Sequence, residues 1–169
     1  MRPRSKPQAQ GLGARAAAQA ALQAVFFNEK ALTEALDTAL AKAKLEPRDA
    51  AFARAIVMMT LRRLGEIDHV IASFLREPLP VRSGPAELIL RLAAAELLFL
   101  DVAPHAAVSS AVELADKDHR ARHFKGLINA VARRIAGEGK AMLPTLDAER
   151  LNTPPWAWDN WVAGYGDET

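Results

Sequence analysis

The side chains of this chain best suited to chemistry are cations, and the one that would do covalent chemistry is missing. Arg2, Arg4, Lys6 and Arg15 fall within the first 28 residues, which contain no acid. Arg122, Lys125, Asn129 and Arg133 recur at i, i+3, i+7 and i+11. That spacing places them on one helix face, opposite Phe124, Ile128, Val131 and Ile135. Both groups suit contact with phosphate, which brings salt-dependent affinity without reading base sequence. There is no cysteine. This excludes a thiolate nucleophile, a disulfide scaffold and Cys-ligated zinc. It also fits a reducing cytoplasm, where localisation is expected.

Other polar groups read as structural. His119 and His123 are four apart, with Asp116 and Asp118 nearby, but ligation needs three or four convergent groups with outer support. Their run reads as a solvated helix start, so no metal site is expected. His105 follows a proline at a helix start and reads as a capping residue. Arg62 and Arg63 lie near the end of an apolar helix, where cations meet the last carbonyls. Gly137-Glu138-Gly139 follows no strand, so it reads as a helix cap and not as a cofactor-holding turn. No cofactor site and no catalytic group are expected in this chain.

Helices must position these residues. Half of the residues are apolar but only 6% are aromatic, and alanine and leucine supply most of the apolar mass. Periodicity predicts helices over 14–27, 33–44, 47–64, 66–75, 86–100, 105–117 and 121–136, about seven in all. Thr33 is the expected N-cap of the second, and Pro47 opens the third at a position where a missing N–H costs little. The third and fifth are apolar nearly all round, which predicts two central helices wrapped by amphipathic ones. Gly137 and Gly139 are expected to end the last. No strand alternation is found, so the fold class is all-α. No stretch is apolar enough for a membrane span, and no membrane partner is expected.

The predicted domains are a flexible basic arm at 1–13, a helical domain at 14–143 and an aromatic segment at 144–169. The last holds all three tryptophans and the single tyrosine. Lys and Arg total 22 against 20 Asp and Glu, for a net charge of +2. Because four of those cations precede the first acid, everything after them is slightly acidic. A basic arm on a near-neutral body is a common nucleic-acid signature.

Four stretches in register carry a family resemblance. They are Phe52-Ala53-Arg54 with Leu61-Arg62-Arg63-Leu64-Gly65-Glu66-Ile67-Asp68; Leu88 through Glu96-Leu97-Leu98-Phe99-Leu100; Pro104-His105-Ala106-Ala107-Val108 with Ala111-Val112-Glu113-Leu114-Ala115; and Lys125-Gly126-Leu127-Ile128-Asn129-Ala130-Val131-Ala132-Arg133-Arg134. Together they resemble the NusB-like domain, most closely the version that begins the Sun/Fmu-type 16S rRNA 5-methylcytosine methyltransferases. Pro154-Pro155-Trp156, Trp161 and Tyr165-Gly166 resemble the segment leading into the catalytic part of those enzymes. Ser109-Ser110 departs from the family's usual Asn-Glu.

The resemblance implies an all-α NusB-like bundle of two small subdomains that binds RNA. It implies contact through the arm and first helix, hence through Arg2, Arg4, Lys6 and Arg15, and it places Asn129 at the family's usual asparagine. Methyl transfer to cytosine needs a thiolate and S-adenosylmethionine, which the resemblance assigns to a later domain of the parent enzyme. The implied partners are 16S rRNA, a catalytic domain in cis and a second copy in a homodimer. Two other readings compete: a free-standing NusB-like transcription antitermination factor, and a purely structural module whose aromatic tail docks a protein.

Overall fold

The computed structural model describes residues 11–166, so Arg2, Arg4 and Lys6 lie outside the described residues. These residues form helices and short turns with no strand among them. The body comprises α1 (Leu12–Asn28), α2 (Leu32–Ala43), α3 (Pro47–Arg62), α4 (Leu64–Phe74), α5 (Ala86–Phe99), α6 (Pro104–Lys117) and α7 (Lys125–Arg134). A π-helical turn at Ile135–Gly139 carries α7 into α8 (Lys140–Met142). The chain then forms α9 (Ala148–Asn152) and α10 (Pro155–Tyr165).

Only one helix is central. Eleven of the 14 residues of α5 are buried. Its Leu88 and Leu92 join Ala18, Leu22, Ile56 and Val57 in a core made with α1, α2 and α3. Its Ile89, Leu90, Ala93 and Leu97 join Ile67, Val70, Ala111, Ile128 and Val131 in a second core made with α4, α6 and α7. The bundle is thus two small helical units sharing α5. Each fully buried Leu or Ile contributes about 1.5–3 kcal/mol. The expected second central helix, α3, buries only Ala53, Ile56, Val57 and Thr60, and Met58 is 42% exposed. Its apolar residues run round the helix, but only one side of it has a neighbour.

Helix ends differ from expectation for local reasons. Pro47 does open α3, whereas α6 starts one residue earlier than expected, at Pro104. Thr33 does not cap α2: Ala31 is the N-cap, with no side-chain hydrogen bond, and Leu32 starts the helix and packs on the core. His105 lies inside α6, whose N-cap is Ala103. Gly137 and Gly139 do not end a helix but lie in the π turn. A Cβ on Gly139 would sit 2.8 Å from Leu98 Cδ2 and 3.1 Å from Ile135 Cγ2. That residue is a close-approach point between the turn and α5, where a larger side chain would have to push the Leu98 side chain aside.

Gly65 is a tighter approach point, between α4 and α9. It is the second residue of α4, not a break after α3. A Cβ there would sit 1.7 Å from the Leu151 carbonyl oxygen, so α9 lies directly against it. Glu66, 3% exposed, fastens the contact. Its backbone N–H donates to Asn152 Oδ1 (3.1 Å), and its Oε2 accepts from Asn152 Nδ2 (2.7 Å) and pairs with Arg63 (3.0 Å). The composition change near residue 144 therefore falls inside packed structure. The exposed part starts later: α10 buries no residue, and Trp156, Trp161 and Tyr165 are 71%, 59% and 77% exposed.

Candidate nucleic-acid interface

The polar stripe of α7 is exposed as its spacing predicts. Ile128, Val131, Ala132 and Ile135 are buried on one side, while Arg122, Lys125 and Arg133 are exposed and Asn129 is half-buried on the other. Arg122 lies in the 3₁₀ turn Ala121–Phe124 that leads into α7. Asp118 builds that turn: its Oδ1 accepts from the backbone N–H of Arg120 (2.8 Å) and Ala121 (2.9 Å). Partial burial would raise the Asp118 carboxyl, but the two amides outweigh it and hold the group below the usual carboxylate value.

Along the stripe, Arg133 Nε donates to Asn129 Oδ1 at 3.3 Å. Lys125 Nζ donates to Asp116 Oδ1 at 2.6 Å, which joins α7 to α6. That bond, with a weaker pull from Arg122, holds the exposed Asp116 carboxyl below its usual value. Lys117 pairs with Glu113 at 3.2 Å on α6. Arg122 and Arg133 form no ion pair among the described residues.

A groove of about 1010 Å³ runs beside this stripe between α1, α6 and α7. Lys125, Gly126 and Asn129 form one wall, Glu113, Asp116 and Lys117 another, and Leu12, Gly13 and Ala16 of α1 the third. The groove thus lies against the first turn of α1. Lys6 is five residues from Gly11, within about 17 Å of chain reach.

Arg15 does not belong to this surface. It is 5% exposed, and its guanidinium forms a two-pronged ion pair with Glu96 of α5, with Nε 2.8 Å from Oε1. The same group lies over the Phe52 ring at 5.0 Å. The expected role of Arg15 in RNA contact is therefore corrected: it is a core ion pair between α1 and α5. Burial pushes the Glu96 carboxyl up, and Arg15 opposes that shift without reversing it. The sequence holds a signal for an inward-facing cation and a buried acid, though not for their pairing. Arg15, Ala18 and Leu22 share a helix face at i, i+3 and i+7, and an acid inside the apolar run of α5 requires a cation.

Arg63 is structural, paired with Glu66 and lying 5.2 Å from the Phe99 ring centroid. His119 and His123 are exposed, and among the described residues no three His, Asp or Glu side chains could hold a metal ion together.

A second, smaller groove of about 510 Å³ lies between α9 and α10, lined by Arg63, Asn152, Thr153, Trp158 and Trp161. Sequence reading missed it as a built site. Trp158 is covered by Arg150 at 5.3 Å, while Trp161 and Tyr165 contact each other at 5.8 Å.

Comparison with known proteins matches this architecture to the NusB family over residues 12–137. The chain is 34% identical to ribosomal RNA small subunit methyltransferase B of Xanthomonas campestris over 160 residues, covering 95% of the chain and 35% of that protein. It is 38% identical to the same-named protein of Thermus thermophilus over 135 residues, covering 78% of the chain and 31% of the relative. With the Pseudomonas syringae protein of that name it shares 30% identity over 160 residues, covering 88% and 35%. The chain spans about a third of the length of these relatives. Its all-helical fold and the match over most of its length agree: the chain belongs to the NusB family.

Proposed function

We propose that this chain is the RNA-binding module of a cytoplasmic methyltransferase that modifies cytosine C5 in 16S rRNA, and that it supplies recognition without catalysis. The observation that carries this reading is the groove between α1, α6 and α7. Lys125 and Asn129 of the exposed stripe line it together with the first turn of α1, and Arg2, Arg4 and Lys6 precede that turn in sequence. Exposed guanidinium groups on a helix face and along a terminal arm neutralise phosphates and orient an RNA without reading its sequence.

The chemistry belongs elsewhere in such an enzyme. Addition of a thiolate to cytosine requires a cysteine, and this chain has none. S-adenosylmethionine does not fit here either. Among the described residues no strand leads into a Gly-rich helix start, and the glycines at 137 and 139 lie in a π turn packed on α5. The exposed Trp156, Trp161 and Tyr165 of α10 are the surface offered to a catalytic domain in cis. A homodimer would use the same kind of apolar surface.

Binding of the chain to in vitro transcribed small-subunit rRNA across a salt series tests this. The three arm cations contribute roughly −2 to −3 to the log–log salt slope. Charge reversal of Arg2, Arg4 and Lys6 flattens the slope by that amount, and the chain with labelled methyl donor incorporates no label. No binding at low salt, or label incorporated by the purified chain, refutes the reading.

A further inference from the structure

We propose that Asp116 stands in for an RNA phosphate: its carboxylate holds Lys125 in the free protein and is displaced when an RNA backbone enters the groove between α1, α6 and α7. This rests on the RNA-binding reading above and says how the site is regulated. The pair joins α6 to α7 at the groove wall, with 2.6 Å between Lys125 Nζ and Asp116 Oδ1. Both side chains are more than half exposed, at 52% and 56%. An ion pair in that much water is weak and exchanges readily. A carboxylate oxygen and a phosphate oxygen offer an ammonium group the same kind of charged acceptor.

The charges of the groove point the same way. Among the described residues two acids, Glu113 and Asp116, and two cations, Lys117 and Lys125, line it, and each cation is held by one of the acids. The groove is therefore neutral until something displaces the carboxylates. An arbitrary polyanion gains little there and is held mainly by the arm. A folded RNA whose backbone fits the groove replaces Asp116 on Lys125 and gains the contact. Among the described residues no aromatic side chain lines the groove, so unpaired bases find no ring there to stack on. Discrimination there is by backbone shape.

The test compares D116N with E34Q in the full chain, by anisotropy titration of labelled, in vitro transcribed small-subunit rRNA across a salt series. Glu34 pairs with Lys30 at nearly the same exposure, 57% and 53%, but does not line the groove. In the wild type, displaced Asp116 recaptures a cation from solution, and in D116N it cannot. D116N therefore binds several-fold tighter, with a salt slope steeper by about 0.7–0.9. E34Q shows a smaller gain. Equal gains in the two variants overturn the proposal, because general charge then accounts for both. An unchanged or weaker D116N also overturns it and leaves Asp116 as a staple between α6 and α7. E113Q, which frees Lys117 in the same way, carries the same expectation if D116N melts early. Binding by D116N but not by wild type supports the displacement. Binding by neither sinks this proposal and the RNA-binding reading together, whereas wild-type binding without tightening sinks this one alone.

Discussion

Replacing Arg15 by methionine removes the cation from a buried pair and leaves Glu96, 2% exposed, with an uncompensated charge. Losing one partner of a buried pair costs about 3–5 kcal/mol, a large fraction of the about 5–15 kcal/mol that holds a domain folded. With a urea m-value of about 2 kcal/mol/M, the unfolding midpoint falls by roughly 2 M. The pH dependence has a defined sign. Burial already raises the folded-state value of Glu96 above its usual 4.5, and Arg15 opposes that rise. The stability linked to a raised acid is fully present below its unfolded value and is lost as pH rises through the folded value. Removing Arg15 raises the folded value further. R15M is therefore hurt more at about pH 8 than at about pH 5. The double variant R15M/E96L, with both charges replaced by apolar groups, recovers most of the loss. Urea unfolding followed by circular dichroism at both pH values measures this. A loss in R15M under about 1 kcal/mol, as for an exposed pair, would refute the core assignment. So would weakened RNA binding by the folded double variant, since Arg15 would then be facing RNA.

Three further outcomes follow from the packing. Gly65→Ala puts a methyl group against the Leu151 carbonyl, so it costs about 1–3 kcal/mol, and limited proteolysis should then cut near 144–152 while α5 stays protected. Asp118→Ala removes the acceptor of two backbone N–H groups and costs about 1 kcal/mol in thermal melts. The Asp118 contribution is present above the usual carboxylate value of 3.8 and disappears as pH falls through its lowered folded value, so wild type and variant must converge in acid. Deleting residues 154–169 leaves the circular dichroism of the bundle helical but changes self-association in light scattering, because it removes the exposed Trp156, Trp161 and Tyr165. A large loss of helical signal would mean that α10 supports the core.

What the sequence determined by itself was local. The 3.6-residue spacing of Phe124, Ile128, Val131 and Ile135 already placed Arg122, Lys125, Asn129 and Arg133 on the solvated face, because periodicity and side-chain polarity act within one helix. Pro47 marked a helix start for the same reason: a missing N–H is harmless only in the first turn. The pairing of Arg15 was decided by the tertiary structure, because its partner Glu96 is 81 residues away on α5. Composition could not separate that arginine from those of the arm. Gly65 and Gly139 looked like helix breakers, yet Gly65 is where the α9 backbone packs too closely for a Cβ, and Gly139 lies against the Leu98 side chain of α5. The charge balance of the groove also required folding. Asp116 and Lys125 lie on different helices, and only the α6–α7 turn held by Asp118 brings the carboxylate to the ammonium. Helical pattern is written in short-range spacing, whereas the partner of a buried charge depends on which helices cross.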